Sequence, residues 1–185
     1  VSLFQAGLND SLTQLYDASR ELIILCIGTD RSTGDSLGPF CGSRLLELGF
    51  DSSRIYGTLE QPVHAVNLGE TLTTIGHNCD NPFIIAIDAC LGRSENIGYI
   101  NIKEGPLQPG TGVKKELPSV GDLHIIGVVN VGGIMEYMVL QNTRLNLVVK
   151  MADIISRGLF HSLYNKSAFH FPTQPLFTTT KQLLP

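Results

Sequence analysis

Leu22-Ile23-Ile24-Leu25-Cys26-Ile27-Gly28-Thr29-Asp30-Arg31-Ser32-Thr33-Gly34-Asp35-Ser36-Leu37-Gly38-Pro39 runs from an unbroken apolar stretch straight into a loop of acids, hydroxyls and glycines. Apolar residues without polar alternation read as a strand covered on both faces, the habit of parallel sheets. Parallel strands need crossover helices, and apolar residues resume at Leu37, Phe40, Leu45, Leu46 and Leu48. The loop between strand and helix falls where α/β proteins build sites, outside the carboxyl end of a strand. Turns and local hydrogen bonds must order so polar a loop, and they leave other polar groups presented outward.

Upstream, Ser11-Leu12-Thr13-Gln14 reads as a capping box opening a short helix, with Leu8, Leu12, Leu15 and Tyr16 on one face. Downstream, strand and helix alternate: helix from Leu37 to Leu48, strand from Arg54 to Leu59, helix from Leu68 to Ile75, then the apolar strand Phe83-Ile84-Ile85-Ala86-Ile87. This is a doubly wound α/β pattern. Ala89-Cys90-Leu91-Gly92 reads as a turn, and Gly98-Tyr99-Ile100-Asn101-Ile102 alternates like an edge strand. A loop through Pro106, Pro109 and Gly112, a strand from His124 to Val129 and a long helix from about Ile134 to Ile155 complete one α/β domain over residues 1–160. Residues 161–185, with Pro172, Pro175 and three consecutive threonines, lack periodicity and read as a C-terminal tail.

The chain has 185 residues, 43% of them hydrophobic and 16% charged, with a formal charge of −4. Lys114-Lys115 is its one adjacent basic pair, so nucleic acid is not expected as a partner. No apolar run approaches a membrane span, and the N-terminus, which begins at Val1 and so is expected to lack a few natural residues, shows no signal core. Cys26, Cys41, Cys79 and Cys90 form no CxxC pair and read as reduced thiols of a cytoplasmic protein. Whether the apolar long helix covers its own sheet or a second subunit of a homo-oligomer stays open.

The candidate chemistry is a pair of carboxylates. Asp35 follows the first strand and Asp88 ends the strand Phe83 to Ile87, so a parallel sheet can bring them together. Two close carboxylates cannot both ionise cheaply; one holds a proton while the other acts as base on water. The plainer role for Asp35 is a helix N-cap, whereas Asp88 after five apolar residues is costly unless paired or solvated. Asp30 is a third acid on the same rim and Gly28 and Gly34 shape the loop, while Arg31 and Arg93 read first as exposed charges and only second as groups that adjust the acids. Other readings fail on spacing. The loop lacks the Lys-Ser/Thr ending of a P-loop, and Gly28, Gly34 and Gly38 do not follow Gly-x-Gly-x-x-Gly. Gly34-Asp35-Ser36-Leu37 matches the four letters of a serine-esterase class, but Gly34 lies well past Ile27, and His161 and His170 have Gly158 and Ser167 where that class needs Asp. The five histidines show no zinc spacing, so neither metal nor cofactor is expected.

These residues also carry a resemblance. Ile27 to Pro39, with Ala86-Ile87-Asp88-Ala89, Pro118-Ser119-Val120-Gly121-Asp122, Asn130 and Leu140-Gln141-Asn142-Thr143-Arg144-Leu145-Asn146-Leu147, closely resembles the YyaC family of spore proteases from spore-forming Firmicutes. That family is similar to the germination protease, an atypical aspartic endopeptidase that degrades small acid-soluble spore proteins. Asp35-Ser36-Leu37-Gly38-Pro39 and Ile87-Asp88-Ala89 match the segments that hold its catalytic aspartates, and Pro109-Gly110-Thr111-Gly112-Val113 looks like its Pro-Gly-Ser-Gly-Val loop. The resemblance implies a three-layer α/β/α sandwich like that of the hydrogenase maturation endopeptidases. It further implies a sporulation-associated peptidase of the sporulating cell or forespore, acting on protein or peptide substrates. Asp35 and Asp88 would be catalytic, with Gly110 and Gly112 amides near the oxyanion and Ser36 beside the acids. The nickel-reading relatives carry Asp-Glu where this chain has Asp35-Ser36, which weighs against a metal. The alternative of another class is a non-catalytic sporulation factor that binds a protein partner in the old cleft.

Overall fold

The structure is a computed structural model that describes residues 2–109 and 117–164. Its helices are α1 (Ser2–Leu15), α2 (Leu37–Glu47), α3 (Leu68–Asn78), α4 (Glu136–Gln141) and α5 (Leu145–Tyr164). Strands β1 (Leu22–Cys26), β2 (Ile55–Tyr56), β3 (Phe83–Gly92), β4 (Ile100–Glu104) and β5 (Leu123–Val131) form one sheet in the order β2-β1-β3-β5-β4. All pairings are parallel except β4 with β5, so the alternating segment is an antiparallel edge, as expected.

Because strand side chains alternate, β1 feeds two cores at once. Leu22, Ile24 and Cys26 join Leu8 and Leu12 of α1, Leu37 and Leu45 of α2, and Met151, Ile155 and Leu159 of α5. Ile23, Leu25 and Ile27 pack with Leu68 and Ile75 of α3 and with Val63, Leu107 and Val120 from loops. The result is the expected three-layer sandwich with a mostly parallel sheet. Each fully buried Leu or Ile contributes about 1.5–3 kcal/mol, so loading both faces fixes which helices cover the sheet and therefore which loops gather at its ends.

α2 starts directly after the polar loop, with Pro39 in the first turn where a missing N–H costs nothing. It ends in a Schellman cap: Gly49 N–H donates to Leu46 O at 3.0 Å and Phe50 N–H to Leu45 O at 3.1 Å, with Gly49 at φ 92°.

Several local expectations are corrected. Ser11 opens no helix, because α1 already runs from Ser2 and is held by Leu8 and Leu12 against the core. The second strand is two residues long and stops at Gly57, whose φ of 91° turns the chain out of the sheet. Ala89-Cys90-Leu91-Gly92 is strand rather than turn, since β5 continues beside it through Val131 with a register shift between Cys90 and Leu91. The long helix is two helices. Asn142 Nδ2 donates to Met138 O at 2.8 Å and Thr143 Oγ1 to Val139 O at 3.0 Å, side-chain competition for carbonyls that breaks the axis between α4 and α5. α5 then continues through Tyr164, four residues into the segment expected to be tail; the remainder of that segment lies outside the described residues.

Candidate active site

β1 and β3 are the neighbours from which the chain winds outward in opposite directions, to β2 on one side and to β5 on the other. Such a switch point opens a crevice at the carboxyl ends of the two strands. β1 keeps pace with β3 as far as Cys26 beside Ile87, with Ile27 N–H still donating to Ile87 O at 2.7 Å. There the two diverge. β3 goes on with β5, so Asp88 is the first residue of β3 whose β1 side is open, and the chain leaving β1 is the loop that carries Asp35.

Close backbone approaches hold that loop. Gly28 N–H donates to Val63 O at 2.7 Å, and Thr29 N–H donates to Asp35 O at 3.1 Å, closing the loop on itself. A Cβ on Gly28, whose φ is 147°, would lie 1.9 Å from Asp35 O, so no other residue fits there without pushing Asp35 away. Gly38, in the first turn of α2, is just as confined: a Cβ there would meet Ile27 O at 2.1 Å. Gly34 faces Leu140 and Thr143, so the 3-10 turn Gly34–Ser36 leans on the α4–α5 junction. Asn130 at the end of β5 fixes that junction, its Nδ2 donating to Val139 O and to Thr143 Oγ1, both at 3.2 Å.

The turn that carries Asp35 thus lies against β3, near enough for the Asp35 charge to act on Asp88. Burial is the largest influence on Asp88 and pushes its carboxyl up to about 8; the Asp35 charge adds to the rise, while the Ala89 N–H, donating to Asp88 Oδ1 at 2.8 Å, opposes it. By surface area Asp88 keeps a partial opening to solvent, although protein atoms surround it densely. The dense surroundings decide the direction, and the opening leaves water a way in. Burial also raises Asp35, which the Ser32 hydroxyl counteracts. Of the two acids, Asp88 is the more strongly displaced.

The remaining candidates fare differently. Asp35 caps no helix: α2 begins after Ser36, and no side chain caps its first turn. Asp30, Arg31 and Arg93 are exposed, and none of them figures among the influences on either acid. Ser36 turns back into its own loop, its Oγ donating to Thr33 O at 2.6 Å. Cys90, half-buried two residues along β3, has its thiol raised by burial and by the Asp88 charge. His124 is at the far end of the sheet, its Nδ1 2.8 Å from Gly105 O. Gly110 and Gly112 lie outside the described residues. The Ser36 hydroxyl is thus engaged within its own loop, and among the described residues no three of His, Cys, Asp or Glu gather as a ligand set. The acid pair alone does not fit a nickel ion.

Sequence reasoning missed two supports: Ser32, and the Asn130–Thr143 bridge between β5 and the α4–α5 junction. A serine in a polar loop reads as solvated, and an Asn–Thr contact across thirteen residues leaves no periodic signal.

The family described as "Protein of unknown function (DUF1256)" matches residues 3–158. "Uncharacterized protein YyaC" of Bacillus subtilis (strain 168) is 56% identical to this chain over 142 residues, 77% of this chain and 69% of that protein. Among solved structures, the NiFe hydrogenase maturation protease HycI from Thermococcus kodakarensis KOD1 matches with a TM-score of 0.55 at 16% identity, covering 85% of this chain and 99% of that one. At that identity the likeness is one of fold, and it agrees with the sandwich described above.

Proposed function

From the premise that this chain belongs to the DUF1256 family, we propose that it is a sporulation-associated peptidase of the germination-protease type, in which Asp35 and Asp88 activate water against a peptide bond. One observation carries this reading: Asp88, raised to about 8 by burial, stands against the Asp35 charge where the sheet opens at its switch point. An unpaired acid in that setting is expensive to keep and useful only for proton transfer. Water held between the acids gives a proton to ionised Asp35 as its oxygen attacks the substrate carbonyl. The Asp88 proton then goes to the departing amine, and proton exchange with solvent resets the pair.

The rim around the acids favours a protein segment as substrate. Val66, Val131, Ile134, Met135, Tyr137 and Met138 are all exposed and sit on loops, strand ends or α4 at the end of the sheet where the crevice opens. Apolar side chains of an extended peptide would find contacts there, and among the described residues no helix is long and apolar enough to cross a membrane. The sporulating cell or forespore is the compartment that fits the resemblance.

Incubating small acid-soluble spore proteins with the wild type, Asp35→Asn and Asp88→Asn over a broad pH range tests the proposal. Cleavage by wild type alone, declining above about pH 8 as Asp88 loses its proton, is expected. Absence of wild-type cleavage at every pH, or equal cleavage by both variants, would overturn it.

A further inference from the structure

The seven-residue arc closed by the Thr29–Asp35 bond spends its hydroxyls unequally. Thr29 Oγ1 accepts from Arg31 N–H at 3.3 Å, and Ser36 Oγ donates to Thr33 O at 2.6 Å. Ser32 is only 4% exposed, and its Oγ has no hydrogen-bond partner of acceptable geometry among the described residues. A buried hydroxyl without a partner costs about 1–3 kcal/mol, so its retention calls for a use. The two charged residues before it, Asp30 and Arg31, are exposed, while Ser32 is buried within the arc, near enough for its hydroxyl to act on the Asp35 carboxyl.

We infer that Ser32 is a positioning residue whose hydroxyl, held inside the closed arc, swings to donate to the Asp35 carboxylate whenever Asp35 is ionised. This rests on the acid-pair reading and adds to it an answer to why the two aspartates divide their roles. Both lie in a crevice where burial favours the neutral form, and a donor that serves one of them assigns the charge to that one. Among the described residues no hydroxyl acts on Asp88, which receives only the Ala89 amide. Other charged groups on elements against the loop are engaged elsewhere or exposed, Arg144 at the α4–α5 junction being among the exposed ones. Arg44 of α2 pairs with Glu47 and Asp153, Arg157 of α5 pairs with Asp153, and Lys150 of α5 is exposed. Glu136 of α4 accepts from Gly133 N–H. Asp88 of β3 is left as the ionisable group that senses Asp35.

Carboxyl-carbon NMR on full-length protein labelled at aspartate reads this directly, with Asp35→Asn and Asp88→Asn assigning the two coupled titrations. Ser32→Ala is expected to move the Asp35 titration to higher pH and draw the two steps together, and Ser32→Thr, which keeps the hydroxyl, to restore the wild-type separation. Thermal unfolding of each variant confirms that folded protein is being titrated. An unchanged separation in folded Ser32→Ala, or a folded Ser32→Thr that behaves like the alanine variant, would overturn the inference. The readout needs no turnover: steps that converge in a protein that cleaves nothing uphold the role of Ser32 while removing the peptidase reading. Where wild type does cleave, the acid limb of its pH–rate profile moves up in Ser32→Ala alongside the Asp35 titration.

Discussion

Asp122 and Asp88 flank opposite ends of one strand, β3, and keep opposite company. At the end where β3 begins, Asp122 Oδ1 accepts from Arg20 Nη2 at 2.9 Å and its Oδ2 from Ile84 N–H at 2.9 Å. Arg20 also donates to Asn81 O and Pro82 O and lies over the Phe83 ring, 5.2 Å from its centroid. At the other end Asp88 accepts from one neighbouring amide, and the charge that acts on it is that of another acid. A carboxylate surrounded by donors fastens α1's exit and the β3 and β5 starts together. A carboxylic acid short of donors is a reservoir for a proton. The two aspartates differ more sharply in their partners than in their exposure, since neither is fully enclosed by surface area.

The strongest way to break the contrast is to remove a proton carrier. Asp88→Asn and Asp35→Asn are each expected to lower the turnover of a cleaved spore protein by at least about 10²-fold, with unfolding temperatures no lower than that of wild type. Comparable turnover in either variant would place the chemistry elsewhere.

Next in size is Gly28→Ala, which leaves both acids in place but forbids their approach. The added Cβ would collide with Asp35 O at 1.9 Å in a backbone region that L-residues avoid, so a loss of roughly 2–4 kcal/mol in stability is expected, together with loss of cleavage. Urea unfolding and the cleavage assay together check it. A variant as stable as wild type would mean that the loop is not pinned as described.

Asp122→Ala is expected to show the reverse pattern. It strands the Ile84 amide and removes the carboxylate partner of Arg20, at a cost of about 1–3 kcal/mol, yet cleavage per folded molecule stays at the wild-type level because the crevice is at the other end of β3. Urea unfolding beside turnover per active molecule decides. Loss of turnover in excess of unfolding would tie the two ends of the strand together.

Sheet and site differed in how legible they were. The runs Leu22–Ile27 and Phe83–Ile87 signalled strands covered on both faces, and their loops placed Asp35 and Asp88 at one rim, because burial and parallel topology leave a periodic trace along the chain. What was hidden depends on partners distant in sequence. The strand character of Ala89 to Gly92 comes from β5, and the break after Gln141 comes from two side chains that take back carbonyls. Asp30 looked equivalent to Asp35 in a loop of polar letters; only the closure of the arc onto Thr29 N–H decides which faces inward. The unequal displacement of the two aspartates also lay out of reach, because it depends on burial by residues distant in sequence.

The mildest test uses pH rather than mutation alone. Asp88 is raised in the folded protein to about 8, above the ordinary carboxylate range it would have in the unfolded chain, so the native state binds the extra proton. Its burial is harmless below about pH 4, where both states are protonated. Stability should then decline as pH rises toward about 8, by at most about 1.4 kcal/mol per pH unit and by less where water reaches the carboxyl. Asp35, raised in the same sense, adds a smaller slope of the same sign. Urea midpoints at pH 5, 6 and 7, about evenly spaced within that window, should fall in wild type and fall less in Asp88→Asn, which carries no proton to lose. Parallel slopes in the two proteins would show Asp88 to be as well satisfied as Asp122, and the distinction between the two ends of β3 would disappear.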